Sequence, residues 1–223
     1  MSDTKSLKDL DDKELYKLWT AHRGETAKTD EVKQAKLAGG LLAKRYTEPL
    51  QTFFRKRLGD DSQDVLSETL QAFLYDNFRG EGSFRSYVFG IAYNKMLKEF
   101  ARRSKRKDFD PSVSSIDDLG GSITYVMDKR RVRALVAAAL RKIPIDNQQV
   151  IELHLIEGHT GPEVAEIVGI TLPAFKSRLR RGLEKIRIEM ARLQSTREEY
   201  GAGIAVIEEW VRTLRDDDDN APT

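Results

Sequence analysis

Thr160-Gly161-Pro162-Glu163-Val164-Ala165-Glu166-Ile167-Val168-Gly169-Ile170-Thr171, continued by Leu172-Pro173-Ala174-Phe175-Lys176-Ser177-Arg178-Leu179-Arg180-Arg181, decides the fold. Thr160 and Glu163 have the spacing of a capping box, and Pro162 stands where a first helical turn tolerates proline. Gly169 supplies a left-handed turn after a short helix of small and branched residues. Thr171 is the expected N-cap of a second helix that runs to Arg192. On that helix Phe175, Leu179, Leu183 and Ile186 recur at helical spacing and are expected to face inward. Lys176, Arg178, Arg180, Arg181, Lys185, Arg187 and Arg192 stand against Glu184 and Glu189. A short helix, a glycine turn and a basic helix is the shape that enters a DNA major groove. The competing reading is a solvated basic face on an ordinary helical hairpin.

Working outward, the apolar positions keep a helical period. Asp11-Asp12 precedes Leu15, Leu18 and Trp19, one apolar stripe of a capped helix. Residues 22–30 are polar and read as a loop. From Glu31 to Leu58 the positions Leu37, Leu41, Leu42, Tyr46, Leu50, Phe53, Phe54 and Leu58 predict a helix that Gly39-Gly40 and Pro49 bend or break. Asp60-Asp61-Ser62 opens the next helix, with Val65, Leu66, Leu70, Phe73 and Leu74. Ser83 caps a further one running to Arg103. Residues 104–122 hold basic residues, serines, Pro111 and Gly120-Gly121, and read as a linker. Helices resume near Asp128, with Val132, Leu135, Val136, Ala139 and Leu140, then from Asp146 to Glu157. A last helix, whole or broken at Gly201 and Gly203, is expected from Ser195 to Leu214, followed by the run Asp216–Asp219.

The expected architecture is therefore all-α. A flexible N-terminus (1–10) leads into a helical domain over 11–103. A linker (104–127), a helix-turn-helix domain (128–192) and a C-terminal extension (193–223) follow. That extension reads either as core packed on the second domain or as a regulatory segment whose aspartates imitate DNA.

Composition agrees and excludes much. The 223 residues carry a net charge of only +2, so nucleic-acid binding would rest on local clusters, at 102–107 and 176–192. Cysteine is absent, which leaves no disulfide scaffold and no thiolate metal site. No apolar run reaches the roughly 20 residues of a membrane span. Residues 1–12 are polar and hold no signal-peptide core, so a cytoplasmic protein is expected. His154 and His159 lie off the i, i+4 spacing of a helical metal site. No phosphate-cradling glycine loop and no nucleophile elbow is present, so no enzyme activity, cofactor or metal is expected.

Two stretches then carry a resemblance. Leu140-Arg141-Lys142-Ile143-Pro144 through the helix-turn-helix to Lys176-Ser177-Arg178-Leu179-Arg180-Arg181-Gly182 resembles domain four of the bacterial RNA polymerase sigma factors. Its Lys-Ser-Arg-Leu tetrapeptide resembles the extracytoplasmic-function (ECF) group of the sigma-70 family. Asp64-Val65-Leu66-Ser67-Glu68-Thr69-Leu70, then Phe78-Arg79-Gly80-Glu81 and Ser83-Phe84-Arg85, then Ile91-Ala92-Tyr93-Asn94, resembles sigma domain two.

The resemblance implies a factor that binds core RNA polymerase and directs promoter-specific initiation. The polymerase β′ clamp helices are expected to meet Asp64, Ser67, Glu68 and Leu70. The family commonly has glutamine where Ser67 stands and phenylalanine where Leu70 stands. Phe78, Arg79, Phe84, Arg85 and Asn94 are expected at the melted minus-ten element, with Arg102 and Arg103 on nearby phosphates. Core packing competes with DNA contact for Phe78 and Phe84. Gln71–Asn77, the approach to that loop, is shorter than the family usually has. Thr171, Lys176, Ser177, Arg178, Arg180 and Arg181 are expected at the minus-35 element. The β flap and an anti-sigma factor are further expected partners. The rival readings are a helix-turn-helix repressor on a two-fold symmetric operator and a helical adaptor with an incidental basic helix.

Overall fold

The computed structural model describes residues 6–26, 29–59, 62–103, 130–193, 201, 203–205 and 207–208. The expected linker 104–127, the start signal Asp60-Asp61 and the run Asp216–Asp219 lie outside them. Among the described residues every regular element is helical. The chain divides into two compact units, Met1–Lys98 and Glu99–Thr223.

The first unit contains α1 (Asp12–Ala21), α2 (Asp30–Leu58), α3 (Ser62–Tyr75) and most of α4 (Phe84–Arg103). Local chemistry sets their starts. Asp11 accepts from the Glu14 N–H at 2.7 Å while Glu14 accepts from the Asp11 N–H at 2.8 Å, a full capping box. Thr29 caps α2, and the Ser83 hydroxyl accepts from the Ser86 N–H at 2.9 Å at the head of α4. Leu15, Leu42, Leu50, Phe53, Phe54, Phe73, Val88 and Phe89 form the buried core.

Two expectations about α2 are corrected. The helix is continuous through Gly39-Gly40 and Pro49. An interior proline costs about 3 kcal/mol. Leu50, Phe53 and Phe54, all fully buried just beyond it, each return about 1.5–3 kcal/mol. Gly39 is a contact point, since a Cβ there would lie 2.8 Å from the Trp19 ring. Leu37 is 60% exposed and does not belong to the core stripe. The buried face at that end runs through Val32, Ala35, Ala38 and Gly39, small residues that let α1 approach.

The second unit contains α5 (Arg130–Leu140), α6 (Ile145–Ile151), α7 (Gly161–Val168) and α8 (Leu172–Arg192). The predicted helix to Glu157 ends instead as a π-helical turn, Glu152–Ile156, closed by the Glu157 N–H on the Glu152 carbonyl at 2.9 Å. Helices α5, α6 and α7 all pack on α8. Phe175, Leu179, Leu183, Ile186 and Met190 are the buried side of α8. Beyond Leu193 the described residues of the C-terminal extension are helical, and Ile207 among them is fully buried. Gly203 abuts Met190 of α8 and Val136 of α5. The core alternative for this extension therefore holds at these residues.

Candidate nucleic-acid interface

The helix-turn-helix is built by its ends. Thr160 and Glu163 form a reciprocal capping box, the Thr160 N–H reaching Glu163 Oε2 at 3.0 Å. Gly169 takes φ 71° and ψ 38°, where a side chain would be strained. The Ile170 N–H closes on the Ala165 carbonyl at 2.9 Å, a Schellman closure that ends α7. The Thr171 hydroxyl then accepts from the Ala174 N–H at 3.3 Å, so this candidate DNA residue also serves as the cap of α8.

Two close approaches fix α8. A Cβ at Gly161 would lie 2.9 Å from Phe175 Cε1, and one at Gly182 would lie 2.8 Å from Ile151 Cδ1. Asn147 Nδ2–H donates to the Arg178 carbonyl at 2.8 Å and ties α6 to the middle of α8. The His154 Nδ1–H donates to the His159 carbonyl at 2.6 Å, and its ring meets Phe175 edge-on at 5.4 Å. These histidines are internal struts of the motif. Among the described residues no group of three or more His, Cys, Asp or Glu is placed to hold a metal.

With its apolar side buried, α8 turns Lys176, Arg180 and Arg181 to solvent and leaves Ser177 and Arg178 half-buried. Arg181 folds back onto the Ser177 carbonyl at 3.3 Å. The capping box, the glycine turn, the Thr171 cap and the contacts from α6 and Gly161 thus hold a cationic ridge in place on α8.

In the first unit, α3 exposes Asp64, Ser67 and Glu68 along one helical stripe, with Leu70 half-buried. Glu68 is engaged by Lys95 of α4 at 2.9 Å. The loop between α3 and α4 carries Phe78 and Arg79. Arg79 is exposed and Phe78 half-buried, its ring against Tyr87, Phe84 and Tyr16 at 5.0, 5.2 and 5.9 Å.

Phe84 takes the core alternative. It is 3% exposed and packs among Tyr16, Tyr46, Phe73, Phe78 and Tyr87. It supports the loop from beneath and is not presented to a ligand. Tyr87 lies beside it, its buried hydroxyl without a hydrogen-bond partner among the described residues. Burial, and then the neighbouring Tyr16, push that hydroxyl up to about 12.

Arg85 is half-buried over Phe89, and Asn94 is exposed further along α4. Arg102 and Arg103 both chelate Glu99, at 2.7 and 2.6 Å. The Arg102 hydrogen bond, joined by Arg103, holds the Glu99 carboxyl down to about 2. Arg102 remains largely exposed, whereas Arg103 is 9% exposed and is not presented as a phosphate contact.

Helix α1, expected from its cap and apolar stripe, carries site residues that the sequence does not single out. Lys13, Tyr16, Trp19 and Arg23 all reach the α3–α4 loop or its approach. Their spacing was visible, but their targets lie more than 50 residues away in sequence.

The family profile "Sigma-70 region 2" matches residues 42–106, and "Sigma-70, region 4" matches residues 133–186. The RNA polymerase sigma factor SigZ of Bacillus subtilis (strain 168) is 22% identical over 149 residues, spanning 64% of this chain and 81% of that one. The ECF RNA polymerase sigma-E factor of Escherichia coli (strain K12) is 26% identical over 161 residues, spanning 67% of this chain and 84% of that one. Among solved structures, CnrH in complex with the cytosolic domain of CnrY is similar in fold, with a TM-score of 0.52 and 24% identity over 81% of this chain and 98% of that one. With both sigma-70 regions present in chain order, the chain belongs to the sigma-70 family, as an ECF sigma factor for promoter-specific transcription initiation.

Proposed function

We propose that the two units divide initiation between them. The second reads the minus-35 element by inserting α8 into the major groove. Thr171, Lys176, Ser177, Arg178, Arg180 and Arg181 meet bases and phosphates there. The first docks core polymerase through Asp64, Ser67, Glu68 and Leu70 on α3, at the β′ clamp helices. It captures an unpaired minus-ten base on the α3–α4 loop through Phe78 and Arg79, with Arg85, Asn94 and Arg102 along the strand. Phe84 and Arg103 act within the protein in this reading.

The observation that carries it is the cationic ridge on α8, exposed on a helix whose other side is wholly buried. An unpaired base needs an aromatic wall and polar groups for its edge, which Phe78, Tyr87 and Arg79 can supply. The domain boundaries proposed are 11–103, 104–127, 128–192 and 193–223. The β flap and an anti-sigma factor are proposed as further partners, and the cytoplasm as the compartment. No helix among the described residues is long and apolar enough to cross a membrane.

Arg178→Ala and Arg180→Ala test the ridge in the holoenzyme. Each is expected to weaken minus-35 binding, and loss of a phosphate contact reduces the salt slope by about 0.9. Unchanged affinity and slope in both variants would remove α8 from the DNA interface.

A further inference from the structure

Helix α1 lies outside the residues that match sigma-70 region 2, which begin at 42. It nevertheless holds the α3–α4 loop at successive points. Trp19 Nε1–H donates to the Leu74 carbonyl at 2.8 Å. Arg23 Nη1 donates to the carbonyls of Leu74, Tyr75 and Asp76 at 3.1, 2.7 and 3.4 Å. The last-turn carbonyls of a helix have no intrahelical partner, and a cation there also meets the negative end of the dipole. Arg23 is thus a C-cap of α3 supplied from another helix.

The next contacts fall in the loop itself. The Tyr16 hydroxyl donates to the Asp76 carbonyl and accepts from the Phe78 N–H at 3.1 Å, bridging two backbone groups. Lys13 Nζ donates to the Gly80 carbonyl at 3.4 Å and lies 5.8 Å from the Phe78 ring centroid. Lys13, Tyr16, Trp19 and Arg23 share one face of α1 and its C-terminal continuation. Among the described residues the stretch 77–82 makes no backbone–backbone hydrogen bond of its own. Gly80 and Gly82 both take positive φ, at 81° and 68°, so the loop has few internal constraints.

We propose that α1 is a positioning clamp for the α3–α4 loop, with Tyr16 and Arg23 as its positioning residues. The clamp sets the loop backbone during folding, so that Phe78 and Arg79 meet the unpaired base already ordered. A preorganised loop binds more tightly because its ordering entropy is not charged to the binding step. The proposal rests on the reading of this loop as the minus-ten capture element.

The test uses the full chain in complex with core polymerase. Its probes are a single-stranded minus-ten oligonucleotide, taken from a start site mapped with the wild-type factor, and the same strand made abasic at each position in turn. The readout is the preference for the intact over the least favourable abasic strand. Binding of the minus-35 duplex and thermal stability are measured beside it. Tyr16→Phe keeps the ring and removes the bridge. It is expected to lower the preference by about five- to tenfold, the low end of the net worth of the two hydrogen bonds lost, and to leave minus-35 binding unchanged. Arg23→Ala is expected to act in the same direction and serves if Tyr16→Phe folds poorly. Phe78→Ala is expected to abolish the preference. If Phe78→Ala abolishes it while Tyr16→Phe and Arg23→Ala leave it intact, the clamp is wrong and the loop reading stands. If Phe78→Ala also leaves it intact, the loop reading fails and takes the clamp with it.

Discussion

Gly182→Ala is expected to destabilise the second unit, although glycine in a helix interior ordinarily improves on replacement. Helix propensity alone favours alanine by about 1 kcal/mol. The added Cβ, however, would lie 2.8 Å from Ile151 Cδ1 and 3.2 Å from Asn147 Cβ. The Ile151 side chain is fully buried, and the Asn147 Cβ is bonded directly to the backbone of α6. Neither yields cheaply, and overpacking of this kind costs about 1–3 kcal/mol. The balance is a net loss of about 1 kcal/mol. Separating α6 from α8 would also stretch the bond from Asn147 to the Arg178 carbonyl. The matched control is Gly40→Ala, at an α2 position where the new Cβ meets nothing within 4 Å. That variant is expected to gain about 1 kcal/mol. Calorimetry on the full chain resolves the two, since about 1 kcal/mol moves the midpoint of a domain this size by about 4–8 °C. A Gly182→Ala variant that stabilises as Gly40→Ala does would refute the packing described for α8.

Further outcomes follow from other parts of the molecule. Tyr87→Phe removes a buried hydroxyl that lacks a partner among the described residues, and is expected to raise the first unit's melting midpoint, by relief of about 1 kcal/mol; a lower midpoint would mean that the hydroxyl is satisfied in solution. Because the Glu99 carboxyl is held down to about 2 in the fold against an ordinary 4.5, its contribution is complete above about 4.5 and lost as pH falls toward about 2; Glu99→Gln should therefore narrow its stability gap to the wild type over that window, and a constant gap would contradict the Arg102–Glu99–Arg103 pairing. Ile207→Asp places a charge in a fully buried site and is expected to cost the second unit about 3 kcal/mol or more; unchanged thermal unfolding would mean that the extension does not dock.

Much of the fold was legible because its signals are local. Asp11, Thr160, Gly169 and Thr171 announce helix ends through bonds to residues a few positions away. The inward face of α8 follows from the helical period alone. Most of the failures come from distant partners. Nothing beside Gly39 in sequence shows that the Trp19 ring occupies its missing Cβ, and nothing near Pro49 shows how much burial follows it in space. Phe78 and Phe84 looked alike in sequence, yet a six-ring cluster takes Phe84 inward and leaves Phe78 at its edge. One local pairing also matters: Arg103 reads as a phosphate contact, yet Glu99, a turn earlier, engages it at 2.6 Å in a buried position, while Arg102 stays largely exposed.

The central claim is tested most directly by run-off transcription with purified core RNA polymerase on fragmented genomic DNA, with and without this protein. The account predicts discrete transcripts that depend on the protein, with start sites that share spaced minus-35 and minus-ten elements. No dependent transcript, together with tight binding of the protein alone to a two-fold symmetric duplex, would contradict it.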